Sequence, residues 1–152
     1  MIVIADTSVV LNLCQIGSAS LLRELYGEVI IPEIVAQEFK RLAQDRAQFS
    51  GLDLPDFISI KMDPLAPQSV AQASLDPGEK AAIALALISP GSLLLIDEAK
   101  GRSLAVKLGV ITIGTLGILL EAKSQGFISA IAPLLNQLTN EAGFWVAPAL
   151  RA

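Results

Sequence analysis

Four carboxylates stand where a fold could gather them: Asp6, Glu38, Glu79 and Asp97. Asp6 follows the apolar run at residues 2–5 and Asp97 the run at residues 93–96, so each marks the carboxyl end of a short strand. Glu38 recurs with Ile34 and Leu42 at four-residue spacing, and Glu79 shares a helical face with Ile83 and Ala86. Both glutamates therefore point where apolar neighbours point. The chain holds no histidine, which excludes Ser-His-Asp and Cys-His nucleophile systems, histidine general bases and histidine-ligated zinc. Chemistry must run on carboxylates, hydroxyls, backbone groups and a bound cation. Two carboxylates about 4 Å apart repel by about 4 kcal/mol at an effective dielectric of about 20, so a cluster takes up protons or a cation. An all-oxygen set selects Mg2+ or Mn2+.

Each acid also has a reading that needs no ligand. Asp6 can cap the first helix, and Asp76 and Glu79, with Pro77 between them, form a capping box. Glu38 can pair with Arg41 or Arg46, and Glu98 is favoured in a first helical turn by the dipole. Thr7 or Ser8 can cap the first helix, and Ser8 and Thr115 read first as caps and second, with Glu98, as further oxygen donors. Five of the eleven basic residues, Lys40, Arg41, Lys80, Lys100 and Arg102, lie within five residues of Glu38, Glu79 or Asp97. A basic rim around an acidic metal pocket suits a phosphodiester. Lys100 and Arg102 are the candidates for a neighbouring phosphate, against the plainer reading of a solvated helix face.

The elements that must position these residues read as an α/β pattern. Residues 93–96, a helix over 99–108 closed by Gly109, and a strand at 110–113 form a strand–helix–strand unit of parallel-crossover length. Reactive groups in such sheets sit just past the strand carboxyl ends. Earlier, a strand at 2–5 leads to a helix stopped by Gly17, a second helix at 18–26 and a strand at 29–31. Pro32 then opens the helix that carries Glu38. Residues 49–67 read as a loop-rich excursion with an edge strand at 58–62, and a nearly all-apolar helix starts at Pro77. Two amphipathic helices, at 116–124 and 129–141, precede an aromatic pair, Phe144 and Trp145.

The 152 residues, 53% apolar and 17% charged, predict one domain with a buried sheet. No apolar stretch reaches the roughly 18 residues of a membrane span, and the start lacks the basic region of a signal peptide. The lone Cys14 allows no internal disulfide, so a cytoplasmic location is expected.

Together these stretches resemble the PIN domains, in the VapC-like toxin branch of metal-dependent ribonucleases. IADTSVVLNL, IPEIVAQEF, LDPGEKAAIALAL, LLLIDEAKGRSLAVKLGVITIGTLGILLEAK and GFWV carry the resemblance across nearly the whole length. They look closest to a PIN-like subgroup with the GTLGIL ending. The resemblance implies a three-layer α/β/α fold with a parallel sheet of order 3-2-1-4-5. It implies a pocket of Asp6, Glu38, Glu79 and Asp97, and RNA cleavage leaving 5′-phosphate and 3′-hydroxyl ends. Asp6 and Asp97 would hold Mg2+ or Mn2+ directly, Glu38 and Glu79 directly or through water, and one glutamate would take the proton of the attacking water. Many PIN domains carry a further Asp where this chain has Gly114-Thr115, leaving Glu98 or the Thr115 hydroxyl as substitutes.

The resemblance also implies a homodimer and a small antitoxin whose tail offers Arg or Lys to the pocket. A sequence pI of about 4.7 runs against strong nucleic-acid affinity. The rival is an inactive PIN fold that binds protein. A HAD-type phosphatase would need an Asp at the place of Ser8, and a phosphoacceptor receiver domain a Lys where Gly114-Thr115 stands.

Overall fold

The computed structural model describes residues 1–141. In chain order the elements are β1 (Val3–Ala5), α1 (Thr7–Gln15), α2 (Ser20–Tyr26), β2 (Val29–Pro32), α3 (Glu33–Asp45), a 3-10 turn (Ala47–Phe49) and β3 (Ile58–Lys61). There follow α4 (Gln68–Ala71), α5 (Pro77–Leu87), β4 (Leu93–Leu95), α6 (Ala99–Lys107), β5 (Ile111–Ile113), α7 (Thr115–Ser124) and α8 (Ala132–Glu141). The five strands pair parallel in the order β3-β2-β1-β4-β5. This is the α/β/α architecture and strand order expected above.

The two-residue period of a strand divides the core into two layers. Val3 and Ala5 of β1, Val29 and Ile31 of β2, and Leu93 and Leu95 of β4 face α1, α2, α3, α7 and α8. Ile4, Ile30, Leu94 and Ile96 face α4, α5 and α6. Because both faces are covered, these strands are continuous apolar runs without alternation. Ile4, Leu94, Leu95 and Ile96 are all fully buried, each contributing about 1.5–3 kcal/mol by leaving water.

The late helices belong to the first layer. Ile118, Leu119, Leu135 and Leu138 are buried there, with Leu116, Ile131 and Leu134 partly buried against them. That set therefore packs on the sheet. Phe144 and Trp145 lie outside the described residues.

Element ends differ from the sequence reading by one to three residues, and two short turns are new. The 3-10 turn and α4 span three and four residues, too few to show a period, yet Phe49 and Val70 are buried. The excursion after α3 is tied back to the body by its own acid. Asp63 Oδ1 accepts the Ile34 N–H at 3.2 Å, capping a helix whose N-cap residue, Pro32, has no capping side chain.

Candidate active site

The carboxyl ends of β1 and β4 open beside the N-termini of α1, α5 and α6, and a cleft of about 410 Å3 lies there. Asp6, Glu38 and Glu79 line it together, with Asp76 and Glu98. Asp6 continues the ladder, its N–H donating to Leu95 O at 2.9 Å. It occupies the N-cap position of α1 in extended backbone, but its side chain makes no capping bond. Its carboxylate is buried and Oδ1 has no partner. Burial pushes the Asp6 carboxyl up to about 7; the Thr7 N–H opposes this, and the charges of Asp76, Glu38 and Asp97 add to it.

Glu38 reaches the cleft from α3, half-buried, and accepts the Thr7 hydroxyl at 2.9 Å. Burial raises its pKa; the Thr7 hydroxyl opposes, Asp76 adds, and the Gly78 N–H and Arg41 oppose. Its carboxylate lies against Gly78 in the first turn of α5, where an ideal Cβ would be 2.5 Å from Oε2. Any side chain there would push the Glu38 carboxylate aside.

Glu79 is one residue further along α5. Asp76 Oδ1 accepts the Glu79 N–H at 2.8 Å with Pro77 at the first helical position, so the cap comes from Asp76. The Glu79 side chain is buried, and Oε2 has no partner. Burial drives it up to about 9, followed by its hydrogen bond with the Asp76 carboxyl and the charges of Asp76, Asp6 and Glu98. An ideal Cβ at Gly101 would be 3.1 Å from that oxygen, so a second glycine opens the N-terminus of α6 to an acid.

Asp97 lies near enough to Asp6 for its charge to add to the shift there. It is half-buried beyond β4 and does not line the cleft. Oδ1 accepts the Thr115 N–H and Oδ2 the Thr115 hydroxyl, both at 2.6 Å, while Asn12 Nδ2 donates to Oδ2 at 3.4 Å. Asp97 thus anchors the N-terminus of α7 and is tied to Asn12, which itself lines the cleft. A third glycine makes room here, since an ideal Cβ at Gly114 would be 2.9 Å from Asp97 Oδ1 and 3.2 Å from Arg102 Nη1. Replacing Thr115 by Val keeps the shape and the N–H but removes the hydroxyl from a carboxylate oxygen. The expected loss is about 1–3 kcal/mol in urea unfolding, most of it regained in Thr115→Ser.

The remaining candidates divide. Ser8 lines the cleft half-buried. Glu98 lines it too, but as the N-cap of α6, accepting the Gly101 N–H at 2.7 Å; that bond, above all, lowers its pKa. Thr115 is fully buried against Asp97. Lys100 and Arg102 are exposed outside the cleft, Arg102 lining a separate surface hollow with Lys107 and Thr112. Lys80 is turned to the Ala71 carbonyl at 2.8 Å. The cation that does line the cleft is Arg46.

Asn12, Gly78 and Gly101 are site residues that the sequence reading passed over, and Thr7 and Asp76 it took only for helix caps. A signal existed for Asn12, a lone amide within the apolar run from Val9 to Leu13. The cap reading of Thr7 gives no hint of its partner, since Glu38 recruits the hydroxyl across 31 residues.

Among the described residues, no group of three or more His, Cys, Asp or Glu side chains stands ready to hold a metal ion. The donor chemistry nevertheless fits a hard divalent cation. Two buried carboxylate oxygens, on Asp6 and Glu79, lack any partner, and burial leaves their charge unfavourable.

A parallel five-stranded sheet with inward acids at the carboxyl ends of its strands defines an α/β protein with an acidic site. A family model described as a PIN domain matches residues 2–152, and the chain belongs to the PIN-domain family. No curated protein and no solved structure matches the chain.

Proposed function

We propose that this PIN domain is a divalent-metal-dependent endoribonuclease of the VapC-like type, acting in the cytoplasm as the toxin of a toxin–antitoxin pair. The observation that carries the reading is the pair of buried, unpartnered oxygens, Asp6 Oδ1 and Glu79 Oε2, in a cleft shared with Glu38. Family membership supports the nuclease chemistry.

Asp6, Glu79 and Glu38 would hold Mg2+ or Mn2+. A bound divalent ion supplies a nucleophilic water near neutral pH and stabilises phosphate charge. Around it, Thr7 fixes Glu38 by its hydroxyl, and Asp76 fixes the first turn of α5 beneath Glu79. Glu38, half-buried where Glu79 is buried, is the more accessible of the two glutamates and would take the proton of the attacking water. Asp97 acts as a positioning residue, holding α7 through Thr115 and aligning α1 through Asn12.

The test is a mixed RNA pool incubated with pure protein and Mn2+, alongside a thermal shift in Mn2+. Cleavage abolished by EDTA, with a midpoint rise that Asp6→Asn loses, is the expected pair of results. Cleavage that survives EDTA would remove the metal mechanism.

A second reading is favoured by one observation, that both Asp97 oxygens are committed to Thr115. A PIN fold that binds metal but cuts no RNA would then serve as a protein-binding module. For partners, we propose a homodimer and a short antitoxin tail offering Arg or Lys to the acids. Light scattering at micromolar concentration decides the dimer, and a monomer mass throughout would retire it.

A further inference from the structure

Asp97 leaves the acid group a donor short, because both of its oxygens are committed to Thr115 and it does not line the cleft. Two further acids do line it, Asp76 and Glu98. Glu98 gives its carboxylate to the Gly101 and Lys100 N–H groups of its own helix. We propose that Asp76 takes the place of Asp97 as a ligand of the divalent cation, so that Asp6, Glu38, Asp76 and Glu79 form the metal centre. The inference rests on the metal-dependent reading above and changes its ligand set.

Three of these carboxylates meet at the first turn of α5. Asp76 caps the turn through Oδ1, which accepts the Glu79 N–H at 2.8 Å, and the cap takes only one of its two oxygens. The Glu79 side chain hydrogen-bonds with the Asp76 carboxyl, and the Glu38 carboxylate lies against Gly78 between them. Asp6 faces this turn from the end of β1. At Asp6, Glu38 and Glu79 alike, the charge of Asp76 raises the carboxyl more than that of any other acid, which sets Asp76 close to all three. At Asp6 the charge of Asp97 ranks behind those of Asp76 and Glu38.

A group of acids alone names no ligand. The pointer to a cation is that Asp6 and Glu79, 4% and 6% exposed, line the cleft and each keep an oxygen without a partner. Such burial is unfavourable for a charge until something positive joins it. The carboxylates are not closed on an ion among the described residues, and the exposed Asp76 and half-buried Glu38 are the members with room to turn toward one. A hard cation also keeps water in its shell. A second hollow, of about 320 Å3, meets the cleft at Glu38 and Asp76 and gives that water space on the Asp76 side.

The test measures Mn2+ binding to the full chain by calorimetry, without RNA, in wild type, Asp76→Asn, Asp76→Ser and Asp97→Asn. Asn and Ser cap a helix about as well as Asp, so both Asp76 variants keep α5 and lose the carboxylate. A thermal midpoint in EDTA no lower than that of wild type checks that they do. The Mn2+ Kd should rise at least about tenfold in both Asp76 variants and less than about threefold in Asp97→Asn, which should instead lower the midpoint in EDTA. Salt separates a ligand from a bystander charge. In about 0.5 M KCl an exposed charge acting at a distance is screened, whereas the loss of a ligand persists. Asp76 variants that bind Mn2+ like wild type, a gap that closes in salt, or an equal loss in Asp97→Asn would overturn the assignment and leave the metal reading standing. No Mn2+ binding by wild type would overturn that reading, and the assignment with it.

Discussion

Asp6→Asn should make the metal-free protein more stable near pH 8 and cleave RNA at least about 100-fold more slowly. Both results come from one side chain. Asp6 is 4% exposed, its Oδ1 is unpartnered, and burial holds its carboxyl up to about 7. Above that pH the folded protein carries a buried charge with Glu38 and Asp76 nearby and no cation to balance it. Asn has nearly the same shape, carries no charge, and brings an amide that can donate to the surrounding carboxylates. A gain of about 1–3 kcal/mol is expected, roughly 2–4 °C per kcal/mol in midpoint for a chain of this size. The same substitution should erase the midpoint rise produced by Mn2+. A variant less stable than wild type near pH 8 would show that Asp6 is not an uncompensated charge.

The second large effect is a stability that falls as pH rises. In the EDTA-treated protein, Asp6 moves from an ordinary 3.8 to about 7 and Glu79 from 4.5 to about 9. The folded state therefore keeps protons that the unfolded chain has released, and wherever the folded state binds more protons, stability drops with pH. The contribution is fully present below about pH 4, declines through pH 7 as Asp6 ionises, and continues to fall toward pH 9 through Glu79. For Asp6 alone the shift corresponds to at most about 4 kcal/mol, and the neighbouring Glu79 does not add in full. Saturating Mn2+ should flatten or reverse the trend, because the ion competes with the protons and binds the folded state. Urea unfolding near pH 5, 6.5 and 8, with EDTA and with Mn2+, checks both halves. Stability that climbs steadily with pH in EDTA would refute the assignment.

Much of this arrangement was legible in the residues. Buried parallel strands are unbroken apolar runs, so β1, β2 and β4 were visible from composition, and each acid after β1 and β4 marked a carboxyl end. Glu38 and Glu79 betrayed themselves by sharing faces with Ile34, Leu42, Ile83 and Ala86. What stayed hidden is what three-dimensional neighbours decide. No spacing rule shows that both Asp97 oxygens go to Thr115, 18 residues on, while Asp76 becomes a wall of the cleft. The basic rim was misplaced for the same reason. Lys80 adjoins Glu79 in sequence yet bonds to Ala71, whereas Arg46, eight residues beyond Glu38, lines the cleft. The glycines carried no chemical signal at all, because their contribution is empty space over a helix N-terminus.

The central position of β1 bears on how such a chain is made. β1 is flanked by β2, and by β4 some 90 residues later, where Val3 pairs with Leu93. While the chain grows from its N-terminus, β1 has one neighbour and an open edge until residues 93–95 have emerged. Asp6 gains its backbone partner Leu95 O only then, and Asp97 and Glu98 follow directly. The acid cleft is therefore completed late in synthesis, and a prematurely released fragment ending before β4 carries Asp6, Glu38 and Glu79 on an unfinished sheet. On the ribonuclease reading proposed above, that order of assembly would leave the growing chain without the β4 side of its acid cleft.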